Sequence, residues 1–257
     1  AAIKGASDTL ARSFDVLPQL CGHKYLWELI VSVFGVSQEA KKAGRDKAFI
    51  CFWDNLHPVL RETPVIFTES ESWMKPTEAF LLGSESEESA QPVFDMLDID
   101  IVHRDIRSLV YRVRYAEDLK IRRLELDHFI EALHSNGFTK KIEIEEQPDL
   151  IKNDIGLIYL YDEILHLFNR PQNKEKRREL ETKLQNCAII MGRDQALRPI
   201  REVFFADEQT VSLFDNFDDT LPFLNDLGDA YKQILQLCPQ FTLADALRSL
   251  KAMFTRP

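Results

Sequence analysis

The chain has 257 residues, a formal net charge of −10 and a pI of about 5.2, with 45% apolar, 10% aromatic and 29% charged residues. At roughly 150 residues per domain, this allows one large domain or two small ones with a substantial core. The acidic balance argues against a nucleic-acid or anionic-membrane face, which needs a basic footprint, and nine glycines leave little material for phosphate-cradling loops.

In chain order, Ser7 to Leu20 carries Leu10, Phe14 and Leu17 at helical spacing, with Ser7 or Asp8 as N-cap and Pro18 ending the helix. Tyr25 to Phe34 is apolar on nearly all sides and predicts a buried helix closed by Gly35. Phe49 to Leu60 predicts another, kinked or shortened by Pro58. Pro64 to Thr68 suits a strand, Glu69 to Ser72 a turn, and Trp73-Met74 a return strand, which together make a hairpin. Gly83 to Gln91 is an acidic linker too polar to bury itself, and Pro92 to Leu97 resumes as a short helix.

Asp100 to Tyr115 shows short alternating runs that suit one or two strands. Tyr115 to Leu133 predicts a long amphipathic helix, ended by Asn136-Gly137 as a left-handed cap. Lys140 to Ile144 alternates like an edge strand, with Glu143, Glu145 and Glu146 on its wet side. Asp149 to Phe168 and Glu175 to Gln185 predict helices, and Thr210 to Phe217 a short one. Asp229 to Leu237 and Leu243 to Phe254 close the chain as helices, the second with Thr242 as N-cap and Asp245 three residues on.

Two stretches read as copies of one pattern: PVIFTESESWMKPTEAF from Pro64 to Phe80, and CAIIMGRDQALRPIREVF from Cys187 to Phe204. Each runs apolar triplet, polar stretch, large apolar residue, basic residue and proline, acidic residue, phenylalanine. Aligning Pro76 with Pro199 pairs Ile66 with Ile189, and Phe80 pairs with Phe204. Phe214-Asp215-Asn216-Phe217-Asp218 extends the likeness to Phe94-Asp95-Met96-Leu97-Asp98. The resulting expectation is an α+β fold, mostly helical with short β-hairpins. It has two related units in tandem, residues 1–124 and 125–257, the second packed on the first.

The motifs carry little chemistry. His103-Arg104-Asp105 invites a kinase catalytic loop, but that loop needs Asn five residues after the Asp, and here Val110 stands there. There is no Gly-rich loop, P-loop or G-x-S-x-G. The six histidines are scattered, and no local spacing gathers His, Asp and Glu for a metal. Asp215, Asp218 and Asp219 lack the glycine and glutamate of an EF-hand loop. The basic runs Lys174 to Arg178 and Lys120, Arg122, Arg123 read as solvated helix faces. No catalytic, cofactor-binding or metal-binding residue is therefore assigned. Trp53 reads as core. Trp73, beside a polar turn, and Lys75 are the candidate partner-contact residues, with packing of the hairpin as the preferred role for Trp73. Cys21, Cys51, Cys187 and Cys238 form no C-x-x-C pair and point to a reducing, cytoplasmic setting. No apolar run reaches eighteen residues. The chain starts without methionine and stops at Pro257, which reads as a piece of something longer.

The stretches FWDNL, PVIFTESESWMKPTEAFL and IIMGRDQALRPIREVFF resemble a region of the sacsin-like proteins, very large multidomain chains with a gyrase/heat-shock-chaperone type ATPase module. The likeness spans Phe52 to Ile101 and Glu179 to Phe217. The nucleotide-binding motifs of that ATPase module are absent, so the resemblance implies a region that accompanies it. The leading expectation is a non-catalytic module of a large ATP-dependent chaperone-like protein, without cofactors, binding protein clients or coupling neighbouring domains, with no nucleic acid or membrane partner. A stand-alone interaction scaffold in defence or signalling is the alternative, and an enzyme with a dispersed site ranks third.

Overall fold

A computed structural model describes residues 17–44, 47–82, 90–114, 119–192, 195–205, 228–242, 244, 245, 247 and 251. The fold is α+β, dominated by helices with short strands. Among the described residues, no helix is long and apolar enough to cross a membrane. The chain divides into two compact units, Ala1–Glu85 with Ile99–Leu124, and Ser86–Asp98 with Glu125–Pro257.

In the first unit, α1 (Leu17–Ala43) and α2 (Lys47–Glu62) pack together. Pro18 does not end α1, because a proline in the first turn costs no helical hydrogen bond. The break falls instead at Gly22 (φ 69°), a backbone state that favours glycine. Nor does Gly35 close the helix, which runs on to Ala43 because one exposed glycine costs only about 1 kcal/mol. Pro58 lies inside α2 without ending it. The expected hairpin forms, with β1 (Ile66–Phe67) antiparallel to β2 (Trp73–Met74). Bridges Thr68–Val102 and Phe80–Ile101, together with β3 (Phe80–Leu81) parallel to β4 (Arg122–Arg123), order the strand segments as β2, β1, 101–102, β3, β4.

The run expected as strands up to Tyr115 is mostly the helix α4 (Arg104–Arg114), which packs on α1. Ile106, Val110 and Val113 recur at helical spacing and are all buried. Only Ile101 and Val102 of that run are bridged as strand. The core gathers Leu26, Trp27, Ile30, Trp53, Leu56, Leu60, Val65, Ile66, Leu81 and Val102 with this face of α4.

The second unit contains α3 (Gln91–Met96), α5 (Leu126–Ser135), α6 (Asp154–Phe168), α7 (Lys174–Leu184) and α8 (Gly228–Leu235). Helix α6 is central, packed against α3, α5 and α8. Of the helix expected from Tyr115, residues 115–118 lie outside the described residues, 119–125 are not α-helical and α5 begins at Leu126. There the Glu125 side chain accepts from the His128 backbone while His128 Nδ1 accepts from the Glu125 N–H, a reciprocal cap that sets the start. Its end is as expected: Gly137 is left-handed (φ 85°), and the Phe138 N–H reaches back to Leu133 O at 2.9 Å.

Asn153 and Asn173 cap α6 and α7, each accepting a backbone N–H at 2.8 Å. A Cβ on Gly156 would stand 2.0 Å from the Leu150 carbonyl, so this turn of α6 admits only glycine. Ile142 bridges to Leu197, but Glu145 and Glu146 belong to a 3-10 turn (Ile144–Glu146) rather than a strand. Strands β5 (Ala188–Met191) and β6 (Leu197–Pro199) form the second hairpin. The helix expected from Thr210 to Phe217, residues 83–89 of the expected linker, the Asp215 cluster and most of the first expected helix lie outside the described residues, and the linker's expected end at Gln91 is instead the start of α3. Of the last helix, 244, 245, 247 and 251 are helical, and Thr242 and Asp245 bond reciprocally at its start.

The two hairpins share one register at a constant offset of 124 positions (195 − 71). Ile66 faces Met74 as Ile190 faces Arg198, and Phe67 faces Trp73 as Met191 faces Leu197. Both turns place a left-handed residue at the same point, Glu71 (φ 56°) and Gln195 (φ 59°). Each donates its N–H at 3.0 Å to Thr68 O or Gly192 O. This shifts the sequence alignment by one, so that Ile66 matches Ile190. Upstream, the N–H of Thr63 bonds Leu60 O as that of Cys187 bonds Leu184 O. A buried aromatic donates to the matching carbonyl in each unit, Trp27 Nε1 to Val65 O and Tyr161 Oη to Ile189 O, both at 2.7 Å. Downstream, Phe80 bonds Asp100 O and receives from Val102, and Phe205 bonds Pro239 O and receives from Phe241.

Two tests follow from this geometry. Tyr161→Phe leaves a buried carbonyl unpaired and is expected to destabilise by about 1–3 kcal/mol, read as a lower urea midpoint at constant slope. At Glu71 or Gln195, glycine relieves a left-handed cost of about 1–2 kcal/mol against about 0.5–1 kcal/mol of added chain entropy. Gln195→Gly should therefore be neutral or stabilising and Gln195→Val destabilising; the reverse order in thermal melts would show that the turn is not held in this conformation.

Candidate functional site

Within the first unit, His23, His103 and Asp105 offer ligand atoms that all lie within 4.8 Å of one another. Each is delivered by a different feature. His23 follows the Gly22 break, and its ring stacks on Phe67 of β1 at 4.5 Å and 11°. The His103 N–H bonds Phe67 O at 2.9 Å, which fixes that residue at the end of the 101–102 strand. Asp105 sits in the first turn of α4. His23 Nε2 lies 3.6 Å from Asp105 Oδ2, and His103 Nδ1 lies 3.8 Å from the same oxygen. Both histidines are largely buried, and the Asp105 side chain is 55% exposed.

Glu69, in the hairpin turn, anchors this arrangement. Its Oε1 accepts from the Arg104 N–H at 2.7 Å and from Arg107 Nη2 at 3.1 Å, and its Oε2 lies 3.9 Å from His103 Nε2. A carboxylate on the first-turn N–H of a helix is favoured by both the free donor and the helix dipole. Two guanidinium groups, Arg104 and Arg107, serve the Glu69 carboxylate, while Asp105 faces the two imidazoles. The Asp105 N–H lies 3.2 Å from His103 Nδ1, which places the acceptor lone pair there and the ring proton on Nε2, toward Glu69.

Trp73 lies on β2 and Lys75 just after it, and of the two it is Trp73 that reaches this group, through Phe67. Trp73 is half-buried, its ring 5.3 Å from Phe67, so it packs the ring on which His23 rests. Lys75 pairs loosely with Glu62 at 3.8 Å, and its N–H donates to Glu78. Trp53 is fully buried, as expected. The expected burial of Tyr25 to Phe34 on nearly all sides does not hold. Leu26, Trp27 and Ile30 face the core, while Tyr25 (71%), Leu29 (45%) and, further on, Val36 (43%) are exposed. At 100° per residue these three fall within about 40° of one another on α1.

In the first basic run Lys176 pairs with Glu125 at 2.9 Å and Arg177 lies over the Phe168 ring, and beyond it Lys183 pairs with Asp127 at 3.0 Å; in the second, Arg122 and Arg123 form β4 rather than a helix face, with Arg122 over the Phe80 ring. Hydrogen bonding to Glu125 raises the Lys176 pKa. Cys187 Sγ lies 3.4 Å from His134 Nε2, a spacing that suggests a nucleophile and base. Burial pushes the Cys187 thiol up to about 12, and only the thiolate attacks, so the pair is a packed thiol. Burial raises Cys238 to about 12 in the same way. Burial also raises Tyr161, which stacks on Tyr231 at 5.0 Å.

No family model, curated protein or solved structure matches the chain.

Sequence reasoning reached His103 and Asp105 through a catalytic-loop motif that the structure gives no role, and it missed His23. The two histidines belong to separate elements, and only the register of 101–102 against β1 brings them together.

Glu163 on α6 is buried, with an oxygen that has no hydrogen-bond partner. Burial raises its pKa from 4.5 to about 7, with Arg170 opposing. The folded state thus keeps a proton that the unfolded chain has lost, so stability falls as pH rises from about 4.5 to 7, by an order of about 3 kcal/mol. Thermal melts should show this decline, and Glu163→Gln should flatten it. A slope unchanged in the variant would remove Glu163 as its source.

Proposed function

We propose that the chain is a non-catalytic interaction module of a larger ATP-dependent, chaperone-like protein, binding a client or coupling domains. The observation that carries the binding part is the exposed Tyr25–Leu29–Val36 stripe along one face of α1. A soluble helix normally presents polar residues outward, and an apolar ridge at this spacing is what a grooved partner reads. Trp73 and Lys75 remain secondary contacts in this reading, since neither is fully buried. The chaperone-like setting rests on the resemblance of Phe52 to Ile101 and Glu179 to Phe217 to the sacsin-like proteins.

In the same proposal the two units are copies of one design. Support comes from the shared hairpin register, the matching left-handed turn residues and the aromatic donor placed on the same carbonyl. Function-specific residues then lie where the copies differ, and the α1 stripe is such a place: matching Tyr161 to Trp27 sets half-buried Tyr159, buried Glu163 and half-buried Arg170 opposite Tyr25, Leu29 and Val36.

The chain should suppress light scattering by a thermally unfolding client protein in proportion to its concentration. The double variant Tyr25→Asp, Leu29→Asp should lose this effect while its melting temperature stays near that of the parent, as surface substitutions usually cost under about 0.5 kcal/mol. Equal suppression by parent and variant would reject the stripe as the contact, and ATP hydrolysis by the chain would reject the non-catalytic reading.

A further inference from the structure

We infer that His23, His103 and Asp105 form a binding site for a divalent transition-metal ion of the zinc class. This inference stands apart from the interaction reading, because it uses other residues and another ligand. The donor set is two imidazole nitrogens and one carboxylate oxygen, which favours zinc and its neighbours over magnesium or calcium, the ions of all-oxygen sites.

The distances suit a tetrahedral ion. With metal–ligand bonds of about 2.0–2.1 Å, ligand atoms around such an ion stand about 3.3 Å apart. His23 Nε2 and His103 Nδ1 lie 3.6 and 3.8 Å from Asp105 Oδ2. The two imidazole nitrogens lie within 4.8 Å of each other, and Asp105, the most exposed of the three, is the freest to move as the set closes. An ion takes the His103 Nδ1 lone pair that the Asp105 N–H now faces. Three protein ligands leave one position for water or an incoming donor, and the exposure of Asp105 gives that position access to solvent.

The surroundings hold both rings in the required pose. His23 is stacked on Phe67, itself packed against Trp73. His103 Nε2 lies 3.9 Å from Glu69 Oε2, close enough for that carboxylate to orient the ring once an ion is bound. Arg107 and the Arg104 N–H satisfy Glu69, which keeps it out of the first coordination sphere. Among the described residues no other group of three His, Cys, Asp or Glu gathers in this way.

Titrating the full chain with Co2+, a spectroscopic stand-in displaced by Zn2+, should give saturable uptake of one equivalent and the absorption of a four-coordinate nitrogen–oxygen site without a sulfur charge-transfer band. Asp105→Asn and His23→Gln should each weaken binding by on the order of 100-fold or more, and Glu69→Gln by ~10-fold. Asp105 is exposed, so Asp105→Asn should melt with the parent and separates lost binding from lost fold. Absence of saturable uptake, equal affinity in Asp105→Asn and His23→Gln, or a sulfur band assigning the metal to cysteine would each overturn the inference.

Discussion

In both units one hydrogen bond fixes the rest: a buried aromatic donor on a helix reaches the first strand of a hairpin. Trp27 and Tyr161 have almost no exposed surface, so their N–H and O–H must find acceptors inside the protein. Each finds the carbonyl one residue before the matching isoleucine: Val65, just ahead of β1, and Ile189, within β5 at the register shift between Ala188 and Ile190. That contact sets both the depth of the helix and the register of the strands. A one-residue slip would turn every hairpin side chain to the opposite face, moving Ile66 and Ile190 out of the places they fill and leaving the aromatic donor without its carbonyl.

From this anchor the first unit builds outward. With β1 fixed, the 101–102 segment is held by Glu69 N–H to Ile101 O and His103 N–H to Phe67 O, both at 2.9 Å. That pairing delivers the start of α4 beside the hairpin turn, where Glu69 receives the free Arg104 N–H. Glu69 therefore joins three things: the turn that carries it, the helix whose end it caps and the imidazole it faces. The His–His–Asp arrangement is a consequence of packing demands that each residue meets separately. His23 enters only because the Gly22 break and the Phe67 ring aim it at the same place.

The charge distribution follows a different logic. Most basic side chains of α7 meet acids at its flank, consistent with a solvated, ion-paired helix face rather than a basic footprint. The surface feature without such compensation is apolar. Helix α1 buries Trp27 on one side and exposes Tyr25 and Leu29 on the other, so its near-continuous hydrophobicity divides into a core face and an outward ridge.

The sequence by itself determined the hairpins, most helices and the caps at Asn136-Gly137 and Thr242, because turn chemistry and helical spacing are local properties written in consecutive residues. The likeness of the two hairpin stretches was legible for the same reason, apart from a one-residue shift in alignment. Local pattern did not resolve Arg104–Arg114: its apolar residues fit two periods over a short run, and only the burial of Ile106, Val110 and Val113 against the first-unit core selects the helix. The start of α5 depended on a reciprocal cap between Glu125 and His128 that outweighed a longer amphipathic pattern. The tertiary structure alone decided that His23 meets His103 and Asp105, that Trp73 supports Phe67, and that Glu163 lies buried with one oxygen outside any hydrogen bond. Those are meetings of residues remote in sequence, and no spacing rule encodes them, because the strand register and helix packing that create them are fixed by burial of the whole unit.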